Sequence, residues 1–363
     1  MSAPQNITWF EPLIDAADTA AVTRTVASGF VNEGPENRAF EKELCAYFGV
    51  PFALSTPSCT MALALSLQAL GIGHGDTVLV PDVTFIGTAS AVRLTGADVI
   101  LVDVDPNTFV MDPAHAEKRI RANTKAMVPV HLVGRSADLH ALRAIAKAKG
   151  IHLIEDAAEA MGSRNADGFL GAQSEAGCFS LAPTKTITSG QGGFVLTRSE
   201  AVRDGIIRLK DHGRLSRASD VHPVTGFNFK VTDMQAALAR SQFKKLDARI
   251  ARAQEIDARY VRGLSDIREL VFTARPKEGF LMWPDFKCKR RDELVAHLKS
   301  RGVTCRPYWP AIHTQPAYAD SSAFPGAEEA VREACWLPCS PAITDAQIDF
   351  VVAETRKFFG SPA

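Results

Sequence analysis

The run from Thr77 to Ile154 decides the fold: TVLV at 77–80, FIGTASAVRL at 85–94, VILV at 99–102, MVPVH at 127–131, LHALRAIAKAK at 139–149 and IHLI at 151–154. Four of these are short apolar, largely β-branched runs of strand length, and the segments at 85–94 and 139–149 carry a helical period instead. Within 139–149, Leu139, Leu142, Ile145 and Ala146 share one face, and Gly150 follows as a C-terminal stop. A further strand is expected at Phe194–Thr197. Strands alternating with helices predict a mostly parallel sheet between helical layers, an α/β architecture. Such sheets gather their ligands at the carboxyl ends of the strands.

One such end reads Ile154-Glu155-Asp156-Ala157-Ala158-Glu159. A carboxylate at the mouth of a buried strand is costly without a cation or a hydrogen-bond donor. Asp156 therefore either caps a local helix or faces a ligand. One strand and a loop later the chain reads FSLAPTKTITSGQGG from Phe179 to Gly193, with Lys185 alone among uncharged residues. A loop lysine is one reading. The other is an amine whose desolvation favours the neutral, nucleophilic form, able to make an imine.

Ser58-Cys59-Thr60 opens a small-residue helix expected over Met61–Leu70, either as a plain N-cap or as an anion site of free N–H groups. Phe85 follows another strand end, placed to pack in the core or to stack on a flat ligand. Amine, carboxylate, anion site and aromatic together match what pyridoxal 5'-phosphate requires: a lysine for its aldehyde and an aspartate for its ring nitrogen.

Composition narrows the alternatives. Lys plus Arg and Asp plus Glu are 41 each, which leaves no basic footprint for nucleic acid or anionic lipid. No apolar run is long enough to span a membrane, and Met1–Asn6 carries no signal-peptide pattern, so a cytoplasmic location is expected. The seven cysteines show no C-x-x-C pair and the nine histidines no H-E-x-x-H spacing, so neither a disulfide scaffold nor a metal site is expected. With 363 residues, one large and one smaller domain are expected, at 10–245 and 246–363.

Several motifs in order resemble the DegT family of sugar-nucleotide aminotransferases, pyridoxal-phosphate enzymes of the aspartate-aminotransferase-like fold type I. They are Gly34-Pro35-Glu36 with Phe40-Glu41, Pro81 through Phe85, Asp103-Val104-Asp105, Pro129 to Leu132, Glu155 to Ala158, Phe179-Ser180 with Thr184-Lys185, Gly190 to Gly193, Gly226-Phe227-Asn228, Thr232 to Ala237 and Leu337-Pro338. The resemblance implies that Lys185 holds the cofactor covalently, Asp156 faces its ring nitrogen and Phe85 stacks on the ring. It also implies that Ser58, Cys59, Thr60 and Ser180 bind the phosphate, and that Glu159 lies near the phenolic oxygen. Asn228 would reach the phosphate in a neighbouring subunit, making a homodimer with shared active sites. The chain departs from the family at Cys59, where glycine is common, Thr186, where asparagine is common, Gln191, where glutamate is common, and Lys230, where arginine is common.

Outside these motifs, helices are expected at 15–28 and at Phe40–Phe48, after a Gly29–Pro35 loop. One helix, capped by Thr232 or Asp233, is expected to run through Met234, Leu238, Leu246 and Ile250 toward Tyr260 and to join the two domains. The smaller, α+β domain is expected to hold a strand near Phe280–Trp283, a helix at Arg291–Ser300, a strand at Val303–Pro307, and helices at Ala327–Cys335 and Thr344–Phe359. Arg306, Tyr308 and His313 share one loop region, either as solvated side chains or as contacts for an acidic or sugar substrate.

The resemblance implies transfer of an amino group from L-glutamate to a nucleotide-linked keto-sugar, a 4-keto-6-deoxy or 3-keto hexose, in amino-sugar, lipopolysaccharide or natural-product biosynthesis. The alternatives are a sugar dehydratase or lyase on the same fold and a non-catalytic regulator. Dehydrating members carry histidine where Lys185 stands. The neutral charge and the complete set of cofactor residues weigh against a regulator.

Overall fold

Seven strands form the main sheet in the computed structural model, which describes residues 6–216, 218 and 220–360. Residues 1–5, read above for targeting signals, and 361–363, the end of the expected second domain, lie outside the described residues. The strands are β1 (Phe52–Thr56), β2 (Thr77–Pro81), β3 (Asp98–Val102), β4 (Thr124–Met127), β5 (His152–Asp156), β8 (Ala176–Ser180) and β9 (Gly193–Thr197), with a short hairpin, β6 (Arg164–Asn165) and β7 (Gly168–Phe169), between β5 and β8. Their order across the sheet is β1-β9-β8-β5-β4-β2-β3. Only the pairings of β9 with β1 and with β8 are antiparallel, so β9 alone runs against the other six. All five residues of β2, of β8 and of β9 are buried, as a sheet covered on both faces demands.

The helices before and between these strands are α1 (Ala16–Ala27), α2 (Pro35–Phe48), α3 (Cys59–Ala69), α4 (Gly87–Leu94), α5 (Pro113–Arg119), α6 (Leu139–Lys149) and α7 (Glu200–Lys210). The α6 bounds agree with the sequence reading, as its one-sided apolar pattern and Gly150 in the left-handed region predict. Helix α2 begins five residues before the expected Phe40, because Pro35 takes the first-turn position where its missing N–H costs nothing. The strand expected at Met127–His131 instead occupies 124–127. Beyond it Pro129 has no N–H to give the ladder, although its carbonyl still accepts the Asp156 N–H at 2.9 Å.

The single long helix expected after Thr232 is two: α8 (Asp233–Phe243) and α9 (Leu246–Leu264), separated at Lys244-Lys245. Thr232 is the cap, its hydroxyl accepting the Gln235 N–H in a capping box. Past α9, four antiparallel strands in the order β10-β11-β13-β12 form a second sheet: β10 (Val271–Phe272), β11 (Asp285–Lys287), β12 (Arg306–Pro307) and β13 (Ala334–Trp336). Helices α10 (Arg291–Ser300), α11 (Pro325–Glu333) and α12 (Asp345–Phe358) accompany it. The strand expected near Phe280–Trp283 is absent. That segment is buried and irregular, with the Met282 N–H spent on the Val133 carbonyl at 2.9 Å, and pairing starts only after Pro284.

The described N-terminal residues are tied to this second unit. Ile7 bridges Val303 in parallel, and the Trp9 carbonyl accepts the Cys339 N–H at 2.9 Å. No helix among the described residues is long and apolar enough to cross a membrane.

Candidate active site

Strand β5 ends on Asp156, whose side chain is buried at the carboxyl edge of the sheet. Its Oδ2 accepts from the Thr88 hydroxyl at 2.8 Å, its Oδ1 accepts from the Ala158 N–H at 3.0 Å, and the Cys59 thiol approaches Oδ1 at 3.8 Å. Asp156 thus has neutral donors but makes no ion pair among the described residues. Burial pushes its carboxyl above the usual range, against the pull of Ala158 and Thr88. The neighbouring Glu155 has the opposite balance. Burial is outweighed by donation from His131 Nε2 at 2.9 Å, Gly171 N at 2.6 Å and Gln173 N at 2.8 Å, which holds Glu155 below its ordinary value. Because His131 Nδ1 accepts the Ala137 N–H at 3.1 Å, the proton on its ring is on Nε2. This pair braces the strand end that presents Asp156.

Lys185 lies in the turn after β8. The isolation it has along the sequence ends on folding: its Nζ contacts Glu159 Oε1 at 3.1 Å and lies 4.7 Å from the centre of the Trp283 ring. Glu159 is fixed in turn by the Val133 N–H, which donates to Oε2 at 2.9 Å. The Trp283 indole N–H is spent on the Thr184 carbonyl at 3.2 Å.

At the start of α3, Ser58 is an N-cap, its Oγ accepting the Met61 N–H at 3.2 Å. The N-cap alternative is thus what the turn shows, and beside it the Cys59 and Thr60 N–H groups remain without partners among the described residues at the helix N-terminus. The opening is kept clear by Gly193: a Cβ there would lie 2.6 Å from the Cys59 nitrogen and 2.6 Å from the Phe179 carbonyl oxygen.

These groups enclose one cavity of about 230 Å³. Ser58, Cys59, Thr60, Phe85, Asp156, Glu159, Ser180 and Lys185, all expected from sequence, line it, and so does Arg306. Phe85 is 54% exposed, open to a ligand rather than packed in the core. Tyr308 and His313 do not line the cavity. The Tyr308 hydroxyl donates to Asp285 and its ring stacks on Trp336 at 4.1 Å, so it is interior rather than solvated. His313 Nδ1 meets Asp82 Oδ2 at 2.5 Å, and its ring stacks on Phe324. Asn228 is exposed and outside this cavity, in a bridge with Asp211. Sequence reading missed Thr88, Trp283 and Trp309. Thr88 carried a usable signal, as a hydroxyl in the first turn of the helix that follows Phe85.

The set fits pyridoxal phosphate on its own geometry. A buried carboxylate lacking a cation suits a protonated ring nitrogen, a primary amine lines the same cavity, unpartnered N–H groups suit a phosphate, and Phe85 offers an aromatic face. An α/β sheet bearing that set at its strand ends defines the class of pyridoxal-phosphate transferases. The chain belongs to the DegT/DnrJ/EryC1/StrS aminotransferase family, matched over residues 12–356, and it is accordingly a pyridoxal-phosphate-dependent aminotransferase. It is 38% identical over 344 residues to the erythromycin biosynthesis sensory transduction protein EryC1 of Saccharopolyspora erythraea, covering 93% of each chain. Among solved structures, DesV of S. venezuelae is 34% identical with a TM-score of 0.91, covering 96% of this chain and 95% of that one. The aminotransferase TlmJ from Streptoalloteichus hindustanus is 29% identical with a TM-score of 0.93, covering 98% and 99%.

Proposed function

We propose that this aminotransferase takes the amino group of L-glutamate and delivers it to a nucleotide-linked keto-sugar, a 4-keto-6-deoxy or 3-keto hexose. The observation that carries the catalytic part is the Lys185 amine, held by Glu159 at 3.1 Å in the cavity that also contains the cation-free Asp156. The sugar and glutamate parts rest on the family resemblance. EryC1 is named both for erythromycin biosynthesis and for sensory transduction. Buried ionic groups are costly to maintain, and a regulator with no chemistry to perform has no use for an amine and a carboxylate so arranged.

When bound, pyridoxal phosphate supplies the electron sink that makes loss of the donor's α-proton feasible. Asp156 would keep the proton on the ring nitrogen. The Cys59 and Thr60 N–H groups, with the Ser58 and Ser180 hydroxyls, would hold the phosphate, and Phe85 would cover one ring face. Lys185 would be the covalent anchor, and its Nζ, when free, would accept the proton from the donor's α-carbon and in the second half-reaction give one to the acceptor carbon. Glu159 and the Trp283 face keep that nitrogen aimed into the cavity between transfers.

A homodimer completes the site, with Asn228 reaching the partner's phosphate. In support, Asn228 is exposed and outside its own chain's cavity, and the segment that leads to it leaves Leu215, Val221 and Val224 exposed, as the loop of Phe30 and Val31 does. A cytoplasmic location belongs to the same reading.

The test is a half-reaction. Purified protein should be yellow and lose that absorbance on adding L-glutamate, then regain it with an accepted keto-sugar nucleotide. Lys185→Ala should abolish turnover, while Asp156→Asn should stay folded and react far more slowly. Wild-type turnover in the lysine variant would remove the mechanism, and indifference to every keto-sugar tried would remove the acceptor.

A further inference from the structure

Arg306, on β12, is a cation without a counter-ion. Its guanidinium makes no hydrogen bond or ion pair with any described residue, and partial burial draws its pKa down against the pull of Glu159. What it does touch is aromatic: it lies 4.8 Å from the centre of the Trp9 ring and 5.8 Å from that of Trp336. Trp9 also meets Trp283 edge-on at 5.1 Å, and Trp283 is the ring beside the Lys185 nitrogen. One indole therefore touches both the guanidinium at the cavity wall and the ring that flanks the reacting amine.

Trp9 is buried and has its backbone pinned. The Ile7 N–H donates to the Gly302 carbonyl at 2.8 Å, the Thr304 N–H to the Ile7 carbonyl at 2.9 Å, and the Cys339 N–H to the Trp9 carbonyl at 2.9 Å.

We propose that Trp9 is a positioning residue, whose ring face holds the Arg306 guanidinium as the receptor for the carboxylate of the amino donor. The inference rests on the aminotransferase reading with an acidic donor, and on Arg306 as a substrate contact. An arginine loses much rotamer freedom when it grips an anion, and a ring platform that fixes it beforehand removes part of that cost. A carboxylate in the platform's place would fix the side chain too, but would neutralise the charge the donor needs. The indole holds the cation and leaves its charge available.

Glutarate, a dicarboxylate with no amino group, is the probe, titrated calorimetrically into the pyridoxal-phosphate holoenzyme. Wild type should bind it and Arg306→Ala should not. Trp9→Leu should bind about tenfold more weakly, from the strength of a partly desolvated cation–π contact, while Trp9→Phe should recover most of the loss. The L-glutamate KM should follow the same order, with kcat changing less. Because Trp9→Leu removes buried surface, the second variant is 5,7-difluorotryptophan at position 9, which keeps the shape and drains charge from the ring face. Its glutarate affinity should also fall. Wild-type glutarate binding by the fluorinated protein, or Trp9→Phe as weak as Trp9→Leu, overturns the role of Trp9. Wild-type binding by Arg306→Ala instead overturns the underlying receptor assignment.

Discussion

Replacing Thr88 by valine keeps nearly the same shape and removes one hydroxyl, which serves the buried Asp156 carboxylate and also meets the Thr84 hydroxyl at 3.1 Å, a contact that is lost equally on the Asp156→Asn background. The Thr88 hydroxyl donates to Asp156 Oδ2 at 2.8 Å, with Thr88 only 3% and Asp156 only 4% exposed, so the bond is largely shielded from water. A hydrogen bond to a buried charged group contributes about 1.5–3 kcal/mol. The apoenzyme of Thr88→Val should therefore unfold about 2 kcal/mol more easily in urea at pH 8. The loss should depend on pH. Burial has already raised the folded-state pKa of Asp156 above its unfolded value, so the stability it contributes is fully present below the unfolded pKa and lost as pH rises through the folded one. Losing the hydroxyl raises the folded value further, so the deficit of Thr88→Val is largest on the alkaline side. It shrinks on acidification, as Asp156 takes up a proton in both proteins. A double-mutant cycle with Asp156→Asn isolates the charge: on the Asp156→Asn background the same change removes only a neutral hydrogen bond, leaving a coupling of about 1 kcal/mol. A deficit that ignores pH, or a coupling near zero, would refute the view that Asp156 is a charge held by neutral donors.

Two further outcomes follow from the cofactor cradle and from the shared site. Gly193→Ala would place a Cβ 2.6 Å from the Cys59 nitrogen, forcing α3 away from β9; it should cost about 1–3 kcal/mol of stability and weaken pyridoxal phosphate binding at least about tenfold, measured by spectroscopic titration of apoenzyme, and unchanged affinity would show that the helix start is not the phosphate seat. Mixing Lys185→Ala with Asn228→Ala protein should restore activity that neither has alone, toward about a quarter of wild type after random exchange, because half the dimers then hold one intact site of two; no recovery in dimers shown to have exchanged would mean that Asn228 does not act in trans.

Much of the cavity was legible because its residue types are set by local chemistry. A carboxylate ending a buried strand, a hydroxyl turn opening a helix and a lysine amid glycines and hydroxyls each state a need that the fold must meet. The sheet was legible for the same reason, with apolar runs of strand length alternating with one-sided helices. What stayed hidden depends on contacts between distant segments. Lys185 looked solitary because its partner Glu159 is on another strand end, and Tyr308 looked solvated because Asp285 and Trp336 are remote in sequence. The aromatic wall of Trp9, Trp283 and Trp309 comes from three irregular segments with no periodicity to read. The break at Lys244-Lys245 interrupts a pattern that is continuous by residue type, so nothing local announced it.

The four charged groups lining the cavity show why the site is a binding site as well as a catalytic one. Lys185 and Glu159 satisfy each other at 3.1 Å. Asp156 is left with a hydroxyl, a thiol and an N–H, and Arg306 with aromatic rings. Two uncompensated charges of opposite sign, each partly or wholly desolvated, are expensive to keep unless a ligand completes them. They do not neutralise one another, because each is fixed by its own neutral shell: Asp156 at the end of β5, Arg306 on the indoles. On the reading proposed above, the anion awaits the protonated ring nitrogen of the cofactor and the cation awaits the carboxylate of the donor. Both ligands are then recognised by charges that the folded chain has declined to pair internally, and removing either shell, Thr88 from the one or Trp9 from the other, should weaken the corresponding ligand alone.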